Sequence, residues 1–214
     1  MANLSTQDFL EIEDIKGGVV VLKNNTLRSV LSASSLNFAL KSEEEQTSIL
    51  YQFQSFLNSL DFSCQILVQS RKLNMIGYLE KLEDIEKAEE NNLLKKQIAE
   101  YRKFLDSIIQ KTSIMQKSFY VIIPFSILET RGLSAMQKGK QINKKASSLT
   151  NQEFQLAKNQ LLQRVEFVIL GLRNLGISAM PLENYELAEL FWATHHPIEA
   201  ENGYFPIIPK QLLE

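Results

Sequence analysis

Short apolar runs and turn-forming pairs alternate in the first part of the chain. The apolar run 19–22 lies between two glycines at 17–18 and two asparagines at 24–25, and both pairs favour tight turns. Asparagine tolerates a positive φ, so the second pair is typical of a hairpin turn. The pattern therefore predicts strands within residues 11–34, including an N-terminal β-hairpin that turns at the asparagine pair.

The next segment has the pattern of a capped amphipathic helix followed by a strand. Ser42 and Glu45 have the spacing of a capping box. The predicted helix places one apolar stripe on a single face, made of Ile49, Leu50, Phe53, Phe56, Leu57 and Leu60. Strict alternation then predicts a strand with one buried face, made of Phe62, Cys64, Ile66 and Val68. On that face Cys64 is expected to be a small core residue.

Residues 76–117 contain no proline and one glycine, and their apolar residues recur at spacings of three and four. The pattern predicts one very long helix, or two helices joined near Asn91 and Asn92. Its second half places Leu94, Ile98, Tyr101, Leu105 and Ile108 on one stripe. The charged stretch 86–96 indicates either a solvated face or a helical arm used for assembly.

A continuous apolar run and a basic segment follow each other near the middle of the chain. The run 119–123 ends at Pro124 and predicts a central strand buried on both faces. The segment 126–149 carries one acid, Glu129, against five basic residues, which are Arg131, Lys138, Lys140, Lys144 and Lys145. It is expected to be a flexible surface insert. The alternative is an electrostatic contact with anionic lipid, nucleic acid or an acidic partner.

The last part of the chain predicts two helices around a short strand. A second capping box at 150–153 precedes a stripe made of Phe154, Ala157, Leu161, Val165, Val168 and Leu172. Gly176 is placed to end this helix. A short strand at 177–180 precedes a last helix that ends near His195. No period continues after residue 199, so we assign residues 1–200 to the domain and 201–214 to a tail or linker.

This order of elements predicts an α+β domain with helices packed on a mixed β-sheet. The composition, 44% hydrophobic and 22% charged, fits a globular protein. The net charge of −2 argues against a chain devoted to nucleic acid, because such domains carry a basic excess. A single cysteine excludes a disulfide framework. With no membrane helix or signal peptide in the pattern, we expect a cytoplasmic protein that partners could hold at the inner face of the membrane.

No motif in the sequence predicts catalysis. The nearest approach to a phosphate-binding loop, within 132–141, has the wrong glycine spacing and no Ser or Thr after its lysine. His195 and His196 are adjacent, so on a helix they point about 100° apart and cannot share one metal ion. We expect no catalytic, cofactor or metal site. A site assembled in space is the remaining enzyme hypothesis.

Several strings of the sequence carry a family resemblance. They are GVVVLK at 18–23, LRSVL at 27–31, NFALKSEEEQ at 37–46, FLNSLDF at 56–62, ILVQSR at 66–71, FYV at 119–121 and ELAELF at 186–191. Together they resemble TraC-like proteins, which are similar to the N-terminal, non-motor domain of the conjugative type IV secretion ATPases. The resemblance covers about residues 8–200.

The resemblance implies an α+β domain that links the transfer ATPase to inner-membrane components of a bacterial secretion channel. The asparagine pair at 24–25 stands where many members have a glycine. The family's Walker motifs match no position here, so no ATP-binding residue is carried over. We expect a non-catalytic docking domain whose partners are the ATPase and membrane components. We also expect a homo-oligomer, in which the partner is a second copy of the chain. Candidate contacts are the five basic residues with Phe191 and Trp192. The alternative is a nucleic-acid contact module that uses 126–149.

Overall fold

The structure, a computed structural model, describes residues 10–111, 114–126, 151–203 and 205–206. Its strands are β1 (Ile12–Lys16), β2 (Val19–Leu22), β3 (Thr26–Ala33), β4 (Gln65–Lys72), β5 (Met115–Ser126) and β6 (Ala179–Pro181). Its α-helices are α1 (Glu43–Asn58), α2 (Ile76–Ala88), α3 (Asn92–Lys111), α4 (Asn151–Asn174), α5 (Asn184–His195) and α6 (Pro197–Asn202). The predicted α+β class is confirmed.

The six strands described above form one β-sheet. Its order is β1-β2-β3-β5-β4, and β6 pairs with β3. The pairings of β3 with β2, β5 and β6 are antiparallel, as is that of β1 with β2. The predicted N-terminal hairpin is confirmed, because β2 and β3 pair across the asparagine turn and Asn25 has a φ of 60°. Gly17 and Gly18 also have positive φ values, which suit the tight turn between β1 and β2.

The hydrophobic core lies between this sheet and α4. All six residues of the predicted α4 stripe are buried, and they pack against sheet residues such as Leu27, Leu31 and Ile123. Gly176 ends the helix as predicted, with a φ of 76°. The Ile177 N–H donates to the Leu172 carbonyl and the Gly176 N–H to the Arg173 carbonyl, which is the Schellman pattern.

Helix α1 begins at the predicted capping box. The Ser42 hydroxyl accepts from the Glu45 N–H at 3.3 Å, and the Glu45 carboxylate accepts from the Ser42 N–H at 3.0 Å. The predicted stripe is correct in part. Four of its residues contact the core, namely Ile49, Phe53, Phe56 and Leu60. Leu50 and Leu57 are exposed instead.

The predicted buried face of β4 is wrong. Phe62 and Cys64 do pack against the core, but they lie in the connection before β4 begins at Gln65. Ile66 and Val68, inside the strand, are 60% and 53% exposed. The alternation runs through a loop, so the facing of Phe62 and Cys64 does not fix the facing of the strand. Partial burial raises the pKa of the Cys64 thiol, as expected for a packed cysteine.

Strand β5 is longer than predicted and is fully buried on one face only. It begins at Met115, where the sequence predicted helix, and continues through Pro124 to Ser126. Val121, Ile123 and Phe125 are buried, whereas the alternate residues are half-buried. The prediction of burial on both faces is therefore wrong. A continuous apolar run fits either case, because a half-covered face also accommodates apolar side chains.

The chain divides into two compact units. The first is Met1–Val68, Ser118–Ala188 and Ile208–Glu214, and the second is Gln69–Lys117 and Glu189–Ile207. The second unit contains the helical hairpin α2–α3, which confirms the two-helix alternative. The break falls where predicted, and the Asn91 side chain accepts from the Leu93 N–H at 2.9 Å at the start of α3. The same unit contains α6, where the sequence predicted no regular structure from Glu199 onward.

Candidate functional site

A groove with apolar rims lies between α1 and α4 in the first unit. We call it the α1–α4 groove; it has a volume of about 440 Å³ and is lined by Tyr51, Gln52, Ser55, Phe56, Ser59, Phe167, Leu170, Gly171 and Asn174. Tyr51 is 75% exposed, and Phe167 and Leu170 are exposed on the facing helix. Exposed aromatic and apolar side chains grouped beside a concavity are a common feature of surfaces that bind other molecules.

Gly171 explains how the two helices approach so closely. A Cβ atom at this position would overlap the Phe56 ring, so the glycine leaves the space that the ring occupies. The Phe56 ring in turn packs against the core and forms the floor of the groove. The groove is therefore fixed by packing that the sequence encodes in one small residue.

A polar cleft continues from the end of the groove. We call it the Arg164 cleft; its larger cavity, of about 520 Å³, is lined by Ser59, Asp61, Phe62, Phe125, Gln160, Gln163, Arg164 and Phe167. Ser59 and Phe167 also line the α1–α4 groove, so the two concavities adjoin. A second cavity of about 390 Å³ shares Arg164 and Asp61 and adds Arg28.

The guanidinium of Arg164 is held on three sides. It lies 4.9 Å from the centroids of both the Phe62 and Phe125 rings, and its Nη1 donates to the Pro124 carbonyl at 2.9 Å. Cation–π contact and a backbone hydrogen bond both restrict its rotamers. The residues that line the cleft include two cations, Arg164 and Arg28, and one carboxylate, Asp61. Such a cleft favours an acidic group on whatever binds in it.

The side chains of this surface are mainly aromatic, polar and cationic. Across the residues that the structure describes, no three His, Cys, Asp or Glu side chains come together as metal ligands would. The cleft combines a fixed cation, amides, hydroxyls and aromatic rings, and Asp61 is its single carboxylate. These groups suit the recognition of a polypeptide surface, where aromatic and arginine side chains contribute most of the affinity.

The predicted contact residues fall in two places. Arg131, Lys138, Lys140, Lys144 and Lys145 all lie outside the described residues. Ser126, where the basic segment begins, lines the smaller cavity of the Arg164 cleft. The role of the basic residues stays a prediction.

Phe191 and Trp192 lie on α5 within the second unit, and both are half-buried. The Trp192 indole stacks on the His196 ring, with centroids 5.6 Å apart, and meets the Phe205 ring edge-on at 5.5 Å. Nearby, the Thr194 hydroxyl accepts from both Gln69 and Arg71 at 3.1 Å. Trp192 thus already holds the chain after α5, and a contact role for it stays a prediction.

Sequence reasoning missed Tyr51, Phe167 and Arg164. A signal was present in α4, where several large apolar residues lie outside the buried stripe. A helix that needs only one covered face has no packing reason to carry a second apolar face. That excess is the pattern of a helix with a second partner, although the sequence does not say where the partner would lie.

The described part of the first unit combines an α+β fold with an apolar groove beside a fixed arginine. Comparison with known protein families matches residues 13–195 to the archaeal TraC-like domain, and the chain belongs to this family. The predicted resemblance is confirmed. The family suggests a protein related to conjugation or secretion and indicates no catalytic class.

Neither the curated proteins nor the solved structures gave a match to this chain. The family description names archaea, and the bacterial setting stays a prediction. Among the helices of the described residues, none has the length and apolar character needed to cross a membrane.

Proposed function

We propose that this chain is a non-catalytic docking domain of a conjugation or secretion machine. It links the transfer ATPase to components at the cell membrane, and the α1–α4 groove is its contact surface. Membership of the archaeal TraC-like family supports the setting. The observation that carries the docking role is the exposed Tyr51 beside a preformed apolar groove.

The partner segment is an apolar helix or strand with an acidic residue near one end. Tyr51 and Leu170 cover its apolar side chains, because burying exposed apolar area on both partners is favourable. Arg164 and Arg28 attract the acidic end into the adjoining cleft, which fixes the orientation of the segment.

The experiment compares two variants of α1 in binding to the ATPase encoded by the same organism. Tyr51→Glu places a charge in the groove, and Gln54→Glu adds the same charge at an exposed position outside the groove lining. A central interface residue costs about 2 kcal/mol or more when disrupted, roughly a thirtyfold loss of affinity. We expect that loss for Tyr51→Glu and near wild-type binding for Gln54→Glu.

Circular dichroism checks that both variants fold, since neither side chain is buried. Equal binding by Tyr51→Glu and wild type would remove the groove as the contact surface. Failure of wild type to bind the ATPase and every membrane component would count against the docking function. The purified chain is expected to hydrolyse no ATP.

We infer a second candidate function for the basic segment 126–149, contact with the transferred nucleic acid. Its support is the sequence itself, with five basic residues against one acid. Phosphate contacts make binding strongly dependent on salt concentration. Reversing Lys138, Lys140, Lys144 and Lys145 to glutamate should abolish salt-dependent DNA binding. Binding that is absent in wild type, or that does not respond to salt, would remove this candidate.

A further inference from the structure

The two sides of the α2–α3 hairpin differ in chemistry. On one side, Arg102 lies 3.1 Å from Glu86 and 3.7 Å from Glu83, and Lys87 pairs with Glu83 at 2.9 Å. The two Arg102 pairs connect the helices of the hairpin, and the Lys87–Glu83 pair lies within α2. On the other side, the Tyr78 hydroxyl bonds to that of Tyr101, which raises the pKa of Tyr101.

The tyrosine pair lies within an exposed apolar strip. Ile85 follows Tyr78 by seven residues, and Leu94 precedes Tyr101 by seven. Seven residues are nearly two full turns, so each pair lies on one line of its helix. Because the two tyrosines are in contact, Ile85 and Leu94 lie on the same side of the hairpin as the tyrosine pair. All four side chains are 44–46% exposed.

Helix α3 continues this strip in a regular row. Leu94, Gln97, Tyr101, Phe104 and Ile108 follow each other at spacings of three, four, three and four. This is the spacing of a helix that packs on another helix along a coiled-coil seam. Ile98 and Leu105 lie off the row and are half-buried, whereas Phe104 in the row is 59% exposed. The predicted single stripe of α3 is therefore two rows: Ile98 and Leu105 are half-buried in one, and the other is exposed at Leu94, Tyr101 and Phe104 and half-buried at Ile108.

Helix α2 has a matching apolar row, and the two helices differ in net charge. Tyr78, Leu82 and Ile85 are spaced by four and three. The helix carries four acidic and two basic residues, a net charge of −2. Helix α3 carries five basic and two acidic residues, a net charge of +3. Part of this charge is paired on the side away from the strip, where Arg102 meets Glu83 and Glu86. The strip itself presents the two apolar rows side by side.

We propose that this face binds the same face of a second copy of the chain. A two-fold axis along the hairpin places α2 of each copy on α3 of the other and forms an antiparallel four-helix bundle. The charges at the edges of this face support a second copy as the occupant, because each hairpin supplies a basic edge at Lys81 and its acidic complement at Glu100. Gln97 is the polar position in the seam that fixes the register, as single polar residues do in coiled coils.

This arrangement predicts a specific contact between copies. Lys81 flanks the α2 row and Glu100 flanks the α3 row, and both are exposed. Helical geometry places the two residues on the outer edges of the hairpin, so they do not meet within one chain. In the two-fold bundle, Lys81 of each copy lies near Glu100 of the other. The contact is independent of the α1–α4 groove and of the docking function.

The first test is the solution mass of the full chain by sedimentation equilibrium. At about 100 μM, a bundle with a micromolar Kd is mostly dimeric, so we expect twice 24.5 kDa. Tyr101→Glu should give the monomer mass. Leu40→Glu, at an exposed apolar residue outside the hairpin, should remain dimeric. Tyr51→Glu should also remain dimeric, which separates this proposal from the docking proposal.

The second test exchanges charges between copies. In a dimer of the Lys81→Glu variant, each substituted residue faces Glu100 of the other copy, which gives two pairs of like charge. A dimer of the Glu100→Lys variant likewise has two such pairs, each with Lys81. Each variant alone should dimerise roughly tenfold more weakly than wild type. An equal mixture of the two should recover the wild-type affinity, because the mixed dimer restores both opposite-charge pairs. A hairpin that merely unfolds would not recover on mixing.

A monomeric wild type at this concentration would overturn the proposal. It would also be overturned if Tyr101→Glu stayed dimeric with native circular dichroism, because the dimer would then use another surface. Recovery on mixing supports the α2-on-α3 arrangement. A mixture no tighter than its components would overturn that arrangement.

Discussion

Helices α4 and α3 carry similar apolar periodicity but use it differently. In α4 the six residues of the stripe are all buried against the sheet. In α3 the stripe separates into a half-buried row that includes Ile98 and an exposed row that includes Leu94 and Tyr101. Both helices exceed the length of an average helix, and both were predicted as amphipathic.

The difference shows what periodicity does and does not encode. A spacing of three and four identifies the apolar face of a helix, and it holds for any partner that covers this face. In α4 the partner is a sheet in the same chain. In α3 one row is half-buried, whereas Leu94, Tyr101 and Phe104 of the other row are exposed in the part of the chain that the structure describes. The period therefore predicts the need for a partner, and the tertiary fold decides whether the chain supplies it.

The largest expected effect separates the two helices directly. Leu161→Asp places a carboxylate in a fully buried site of α4 and should abolish soluble folded protein, because burying an unpaired charge costs several kcal/mol. Leu94→Asp, at an exposed position in the first turn of α3, should change the free energy of unfolding of the monomer, measured in dilute protein, by about 0.5 kcal/mol or less. Soluble yield and circular dichroism measure the first variant, and urea denaturation followed by circular dichroism measures the second. Similar losses in the two variants would contradict the contrast between buried and open rows.

An intermediate effect tests how closely α4 packs on α1. Gly171→Ala adds a methyl group that overlaps the Phe56 ring, and overpacking costs about 1–3 kcal/mol. The higher helix propensity of alanine offsets up to about 1 kcal/mol of this loss in stability. We expect a net loss of about 1–2 kcal/mol in urea denaturation and weaker binding in the α1–α4 groove. A variant more stable than wild type would show that Phe56 moves aside freely.

The sequence predicted local structure where the deciding interactions are local. The asparagine turn, the capping box of Ser42 and the Gly176 helix end depend on neighbours within a few residues, and all three are confirmed. It failed for β4 and β5, because exposure there depends on what covers each face of the sheet. The Arg164 cleft was out of reach for the same reason, since Phe62, Phe125 and Arg164 are distant in the chain.

The smallest expected effect concerns the cap of α1, a helix that bears one rim of the groove. Ser42→Ala should cost about 1 kcal/mol, the usual value of a lost N-cap. The Ser42 N–H, followed by Lys41, lowers the pKa of Glu45 in the folded protein. A lowered folded pKa means that the stabilisation is present at neutral pH and is lost as the pH falls through that folded pKa.

Comparison of wild type with Glu45→Gln isolates the charge, because glutamine keeps the shape of the protonated acid. Their difference in unfolding free energy should be present at neutral pH and should vanish in acid, below the ordinary titration range of glutamate. A difference that persists unchanged in acid would show that the charge of Glu45 does not stabilise α1.

The central claim is that the exposed apolar surface of the first unit binds a partner whereas the buried stripe only holds the fold. The most direct test is the Kd for the ATPase of the same organism, measured by calorimetry for wild type and Tyr51→Glu. We predict roughly thirtyfold weaker binding for the variant with an unchanged free energy of unfolding. Equal Kd values in the two folded proteins would contradict the claim.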